Sequence, residues 1–250
     1  MTAEPRAARI LRRSLKWLLL LGALAAAALA LLSYAKRHPE DLPWTQLDLK
    51  RPIGAFTGRK LAGLADDTAR CRSLMQEAGI AFRPLPPRDG GPNCSYSDAL
   101  RFAGGGSRLI ALQPADVGMS CPVAAALALW EWHVVQPAAR RHFGAPVAEI
   151  EHFGSYSCRR VNGREEGEWS EHATANALDV AAFRLEGGRR VSIVAHWNGD
   201  PAEAAFLREV RDGACRLFAT VLSPDFNEAH RDHLHLDQAG RGAGGWRGCR

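Results

Sequence analysis

The sequence predicts an α+β fold in which an N-terminal transmembrane helix is followed by a small antiparallel sheet packed with helices and stabilised by disulfides. Three observations carry that prediction. Trp17 to Ala35 is a run of nineteen residues without a charge, about the length a helix needs to cross a hydrocarbon core. Beyond it, stretches of helical apolar spacing alternate with short runs of strand-like alternation. The six cysteines, Cys71, Cys94, Cys121, Cys158, Cys215 and Cys249, all follow the apolar run, and an even number is what a disulfide framework in an exported chain requires. None stands in a CxxC pair, so a cysteine zinc ribbon or thioredoxin-like site has no support, and the spacing leaves all pairings open.

Five basic residues precede the apolar run and two follow it at once. The positive-inside rule therefore places residues 1–16 in the cytoplasm as a basic tail and the rest of the chain outside. Residues 17–35 serve either as a transmembrane helix that stays as an anchor or as the core of a signal peptide, since Ser33 and Ala35 supply small residues for cleavage. Both readings export the domain. The expected location is the inner (cytoplasmic) membrane, single-pass, with the C-terminal domain in the periplasm.

Residues 36–60 are rich in proline and lack an apolar period, and read as a linker. Residues 61–250 form the exported domain. Leu61 to Ala78 is helical in spacing, with Gly79 placed to close the helix. Asp89 to Pro92 and Gly104 to Gly106 read as loops among short strands. Pro122 opens an alanine-rich helix to about Phe143, closed by Gly144 and bent or split by Pro137. Residues 147–156, 179–184, 190–197 and 231–237 read as strands, and Asp200-Pro201 starts a further helix.

Lys and Arg number 32 against 27 Asp and Glu, a formal charge of +5. Residues 1–37 hold seven basic residues and one acid, and the remaining 213 residues carry 25 and 26. The exported domain is thus near neutral. With no helix-turn-helix signature, zinc finger or aromatic-basic interleaving, nucleic acid is excluded as a partner. Paired carboxylates of a glycosidase, a GxSxG elbow and a P-loop are absent as well.

Chemistry concentrates in two segments. Ser170-Glu171-His172-Ala173-Thr174-Ala175-Asn176-Ala177-Leu178-Asp179 sets a histidine seven positions before an aspartate, and Asp232-His233-Leu234-His235-Leu236-Asp237 alternates polar and apolar residues. On a strand, His233, His235 and Asp237 project to one face while Leu234 and Leu236 enter the core. Two imidazoles there, with a histidine and a carboxylate from elsewhere, suit Zn²⁺, whose catalytic sites use three protein ligands of nitrogen and oxygen. The other histidines, His38, His133, His142, His152, His196 and His230, read as surface or satisfied residues.

The combined pattern SxHxxxxAxD followed by DHxHxD resembles the metallopeptidase superfamily named for lysostaphin, D-Ala-D-Ala carboxypeptidases and hedgehog domains, in particular its carboxypeptidase-like branch. That branch carries Gly where this chain has Ala175, and the added methyl restricts the backbone. The lysostaphin branch spaces its first His and Asp by three residues, whereas six intervene here. From about Cys121 to Cys249, the segments CPVAAALALWEWHVVQPAARRHFG, HFGSYSCRRVNGR, SEHATANALDVAAF and HRDHLHLD are similar to the bacterial extensin-like C-terminal family.

The resemblance implies that His172, Asp179 and His235 bind zinc and that His233 is the general base or transition-state stabiliser. Asp232 is a rival base, although strand alternation turns it from the face bearing His235. Arg159 or Arg160, with Arg159 favoured, falls where relatives carry an arginine that holds substrate or polarises its carbonyl. Ser170 and Asp237 fit supporting roles around the ligands, and Trp169 and Trp197 fit either a groove wall or the core. The implied function is a zinc-dependent peptidase acting on peptidoglycan stem peptides, as an endopeptidase or a D-Ala carboxypeptidase. The alternative is a non-catalytic wall-binding or envelope-organising domain that keeps the fold.

Overall fold

The computed structural model describes residues 6–242 and 246–250; the first five residues of the basic tail and part of the glycine-rich C-terminal stretch lie outside the described residues. Helix α1, Arg6–Arg37, incorporates the basic residues after Arg6 into its first turns. Its segment Ile10–Arg37 has 28 residues with a mean hydropathy of 2.2 in its most apolar window, and that window buries nothing against the domain. At 1.5 Å per residue it spans about 42 Å, more than a hydrocarbon core of about 30 Å. The segment read as a linker does not hang free. Leu47 and Leu49 are buried in the domain core, and Lys60 donates through Nζ to Pro39 O at 3.2 Å.

Two short helices follow, α2, Thr57–Ala62, and α3, Thr68–Glu77, where one continuous helix from Leu61 was expected. Asp67 breaks the run and caps α3, accepting from the Arg70 N–H at 2.9 Å. Gly79, at φ +73°, closes α3. A two-stranded antiparallel sheet of β1, Ile80–Pro84, and β2, Leu100–Gly106, comes next. The Gly104–Gly106 run, read from the sequence as a loop, is the end of β2.

The main sheet is mixed, in the order β3-β4-β5-β8-β7-β9 with β6 added beside β5. Its strands are β3, Ala111–Gln113; β4, Val147–Gly154; β5, Ala177–Leu185; β6, Arg190–Ser192; β7, Thr220–Leu222; β8, Leu234–Asp237; and β9, Gly248–Cys249. The β3–β4 and β7–β9 pairs are parallel and the others antiparallel. Residues 190–197, read as one strand, split into β6 and the turn of helix α6, Ile193–His196. A short apolar run does not by itself distinguish the two.

Helix α4, Cys121–Trp130, is buried along its whole length. Its alanines let it lie close against neighbouring elements, and Trp130 at its end donates from Nε1 to Val210 O at 2.8 Å. The chain passes through a π-helical turn, Glu131–Val135, into α5, Gln136–Phe143. Pro137 has no N–H to give an α-helical carbonyl, and the wider turn before it lets the helix continue rather than split. Helix α7, Pro201–Ala214, buries Phe206, Leu207 and Val210. Phe206 meets Phe183 of β5 edge-on, with ring centroids 5.2 Å apart.

All six cysteines pair: Cys71–Cys121 ties α3 to α4, Cys215–Cys249 ties the end of α7 to β9, and Cys94–Cys158 joins two loops. Cys94–Cys158 closes a separation of 64 residues, for which chain entropy gives about 4 kcal/mol. Replacing both cysteines by serine is expected to lower the unfolding free energy by about that amount, read as a fall in the denaturant midpoint. An unchanged midpoint would refute this assignment of the loop's stability.

Candidate metal centre

Asp179 and His235 face each other as direct partners across the antiparallel β5–β8 pair. Side chains at such positions leave the same face of the sheet with Cβ atoms about 4.5–5.5 Å apart. His235 Nδ1 consequently reaches Asp179 Oδ1 at 3.0 Å. The third member, His172, comes from a 3-10 turn at Glu171–Thr174 that leads into β5. Ser170 caps that turn, accepting the His172 N–H at 3.3 Å. Ala175 then adopts φ +58°, a left-handed conformation that turns the chain into the strand.

His172 Nε2 lies 3.1 Å from both Asp179 Oδ1 and His235 Nδ1. His172 Nδ1 is 2.5 Å from the carbonyl oxygen of Ser155, which can only accept, so Nδ1 carries the proton and the neutral ring turns a lone pair inward. His235 Nε2 is 3.0 Å from Asp237 Oδ2, which fixes the neutral tautomer with Nδ1 as its lone pair in the same way. Three lone pairs therefore converge at 3.0–3.1 Å. That arrangement is repulsive unless a positive charge sits among them.

All three residues are buried, and they form the candidate cation cluster found among the described residues. A tetrahedral zinc ion with bonds of about 2.0–2.1 Å separates neighbouring ligand atoms by about 3.3–3.4 Å. The observed edges come within a few tenths of an ångström, and the two-nitrogen, one-oxygen set suits that ion. Three protein ligands leave a fourth position for the adjoining groove.

The electrostatics express the same demand. Burial opposes the charge on His235, yet hydrogen bonds to Asp179 and Asp237 raise its pKa to about 9. Burial likewise opposes charge on Asp179, and the facing imidazoles of His172 and His235 hold its carboxyl far below the usual range. In the metal-free chain a proton on His235 supplies the missing positive charge.

The centre opens into a groove of about 770 Å³. His233 Nε2 stands 3.6 Å from Asp179 Oδ1, and its Nδ1 donates to Asp232 Oδ1 at 2.8 Å. His233 precedes β8 rather than lying within it, and still shares the face of His235. Asp232 lines a different cavity, and serves His233 as a hydrogen-bond partner. Arg159 lines the groove, whereas Arg160 lies over the Trp169 ring at 4.6 Å and bonds to Gly167 O. Trp169 lines the groove as well. Trp197 is a core residue that donates from Nε1 to Asp225 Oδ1 at 2.8 Å.

Two groove residues escaped the sequence reading. His230, placed there among ordinary histidines, packs against His233 and His235 with ring centroids 5.2 and 6.0 Å away. Burial first, and then the charges of those two histidines, lower its pKa to about 4. Its spacing in His230-Arg231-Asp232-His233 was the available signal. Glu171 is the other: burial raises its carboxyl, and it accepts from Asn176 Nδ2 at 2.6 Å.

The fold and site define an α+β, disulfide-bonded domain with a histidine–carboxylate centre recessed in a groove. Over residues 69–250 the chain matches the family described as Extensin-like protein C-terminus, and it belongs to that family. No curated protein and no solved structure matches the chain.

Because His235 gains a proton with a pKa of about 9, above the ordinary value of about 6.5, its contribution to metal-free stability is full below the ordinary value and is lost as pH rises through 9. A zinc ion held by these three residues would displace that proton, and calorimetry at neutral pH in buffers of different ionisation enthalpy should then read about one proton released per ion. Heats that do not depend on the buffer would overturn this. Ala175→Gly should raise stability by about 0.5–1 kcal/mol, the left-handed penalty of a side chain less the freedom a glycine adds to the unfolded chain. Its check is the denaturant midpoint at constant slope.

Proposed function

We propose that this chain is a zinc-dependent peptidase that cleaves peptidoglycan stem peptides, as an endopeptidase on crosslinks or a carboxypeptidase on terminal D-Ala. In this reading it is related to the carboxypeptidase-like branch of the metallopeptidase superfamily that its motifs resemble. Helix α1 holds it in the inner membrane, with the domain in the periplasm. The observation that carries the reading is the inward convergence of His172 Nε2, Asp179 Oδ1 and His235 Nδ1 beside a base-competent histidine.

His172, Asp179 and His235 would hold the ion. When bound, zinc supplies Lewis-acid polarisation of the scissile carbonyl and makes water a usable nucleophile at neutral pH. His233, with its Nδ1 proton committed to Asp232, offers the Nε2 lone pair to the groove. It takes a proton from the attacking water and returns it to the leaving amine as the carbon–nitrogen bond breaks, leaving a carboxylic acid and an amine. Arg159 presents a planar, permanently charged fork suited to a substrate carboxylate or carbonyl. Ser155 and Asp237 keep the two imidazoles in the required tautomers.

The test uses the full-length, zinc-loaded chain with purified sacculi and mass spectrometry of the soluble products. Uncrosslinked peptides would identify an endopeptidase, and loss of a single D-Ala a carboxypeptidase. His235→Ala should lose both stoichiometric zinc and cleavage. His233→Ala should keep zinc and lose about 10²–10⁴-fold in turnover. Zinc-loaded protein that binds sacculi and releases no product would defeat the peptidase reading in favour of a non-catalytic wall-binding domain.

A further inference from the structure

Helix α1 and the exported domain are joined without slack. The helix runs on into a 3-10 turn at Pro39–Asp41, the His38 N–H donating to Tyr34 O at 2.8 Å. One carboxylate ties the two together: Asp41 Oδ2 accepts from the Tyr34 hydroxyl at 2.7 Å and Oδ1 from the Ala55 N–H at 2.8 Å. Gly54 lies on the same turn so closely that a Cβ there would stand 2.5 Å from the Glu40 carbonyl carbon. Arg216, past the end of α7, donates from Nη2 to Ile53 O at 2.7 Å. The last turn of α1 is thereby fastened to the body of the domain.

With α1 across a bilayer, this joint stands at the level of the lipid headgroups. The nineteen uncharged residues Trp17 to Ala35 cover about 28 Å as a helix, close to a hydrocarbon core of about 30 Å. Lys36 and Arg37 then mark its outer edge, and the headgroup layer extends about 5–7 Å beyond them. Thr45 is bonded back to that edge: its hydroxyl donates to Pro39 O, two residues past α1, and accepts from Lys60 Nζ at 2.8 Å.

Trp44, beside Thr45, is 77% exposed, more than any other large apolar side chain among the described residues. It has no hydrogen-bond or ring partner among them. An indole combines an apolar ring with a polar N–H, which suits it to the boundary between lipid and water.

The charges around the joint differ in their freedom. Asp41 is committed to Tyr34 and Ala55, and Glu40 and Asp48 both meet Arg51 at 3.7 Å. The Arg51–Glu40 contact also sets Lys50 beside the turn. Lys36, Arg37 and Lys50 are exposed and have no acidic partner among the described residues. Three unpaired cations and a bare indole thus gather at the outer end of α1. An anionic lipid surface attracts that combination.

We propose that the exported domain docks on the bilayer itself. Trp44 seats among the headgroups, Lys36, Arg37 and Lys50 meet the phosphates of anionic phospholipid, and the Asp41 joint holds the domain in that pose. The inference rests on α1 staying in the membrane and is independent of the peptidase chemistry. In place of a domain that swings on a tether, it gives one whose groove keeps a set attitude to the membrane.

The test is fluorine NMR of the full-length chain labelled with fluorotryptophan, in nanodiscs of phosphatidylcholine and phosphatidylglycerol. Trp44→Phe assigns the Trp44 signal, and Trp17→Phe assigns that of Trp17 at the opposite edge of the apolar run. A nitroxide lipid labelled just below its headgroup is expected to broaden both signals. A soluble gadolinium chelate should reach Trp44 weakly. Lys50→Ala should lower the ratio of docked to undocked domain by about fivefold, read as chelate broadening restored at Trp44. Discs without phosphatidylglycerol should lower it further, and Asp41→Ala, which cuts the joint, should also open Trp44 to the chelate.

Nitroxide broadening at Trp17 with Trp44 open to the chelate overturns the docking and leaves the anchor standing. No broadening at Trp17 shows α1 outside the bilayer, which defeats the anchor reading and the docking that rests on it. Shielding of Trp44 that ignores lipid charge, or ignores both Lys50→Ala and Asp41→Ala, overturns the proposal as well.

Discussion

The pairing of Asp179 with His235 across β5 and β8 is the contact on which the site depends. A slip of one residue between those strands would turn His235 to the other face and bring a leucine in its place. What prevents the slip is the core beneath. Leu178 pairs with Leu236 and Val180 with Leu234, and all four are fully buried. The apolar half of the alternation therefore holds the register, and the polar half uses it. A buried aliphatic side chain contributes about 1.5–3 kcal/mol by leaving water, whereas a cluster of lone pairs contributes nothing until a cation arrives. Stability and chemistry lie on opposite faces of the same two strands.

His172 cannot be held by that ladder, because it precedes β5. It is fixed by a local network instead: its ring to the Ser155 carbonyl, its backbone carbonyl to the Ser157 N–H at 2.9 Å, and the Ala175 turn that directs the chain into the strand. The Cys94–Cys158 bridge restrains the same loop, and Tyr156 donates from its hydroxyl to Cys94 O at 2.9 Å. A histidine on an unsupported loop would move away from two converging lone pairs. Here the surrounding bonds over-determine its place, and a proton on His235 relieves the repulsion without the cluster opening.

Much of this was legible in the residues. The alternation of Asp232 to Asp237 marked His233 and His235 for one face, and the resemblance of the two motifs to the metallopeptidase pattern joined His172 and Asp179 to them. The apolar helix and the disulfide framework were equally plain, since both follow from composition and position. Other features depend on tertiary context that periodicity does not encode. Leu47 and Leu49 stand singly in a polar, proline-rich segment, and only the core they reach marks them as buried. Pro137 signalled a disturbance in its helix but not that a π turn would absorb it. His230 joins the groove through a short turn before β8, where no strand pattern exists to aim it. The partly parallel character of the main sheet depends on which edges meet, a choice made by chain connections rather than by any one strand.

The charge of the chain illustrates the distinction between composition and site. Its excess of positive charge lies around α1, and the residues beyond are close to balanced. A domain without net charge exerts little long-range pull on a cation. The demand for positive charge at His172, Asp179 and His235 is instead local, produced by burial and by hydrogen bonds that direct every lone pair inward. Screening by salt acts mainly on exposed charges and reaches a buried cluster weakly. The charge balance of the centre is therefore set by burial and donor type while the surface around it stays neutral, and no count of basic and acidic residues would have revealed it.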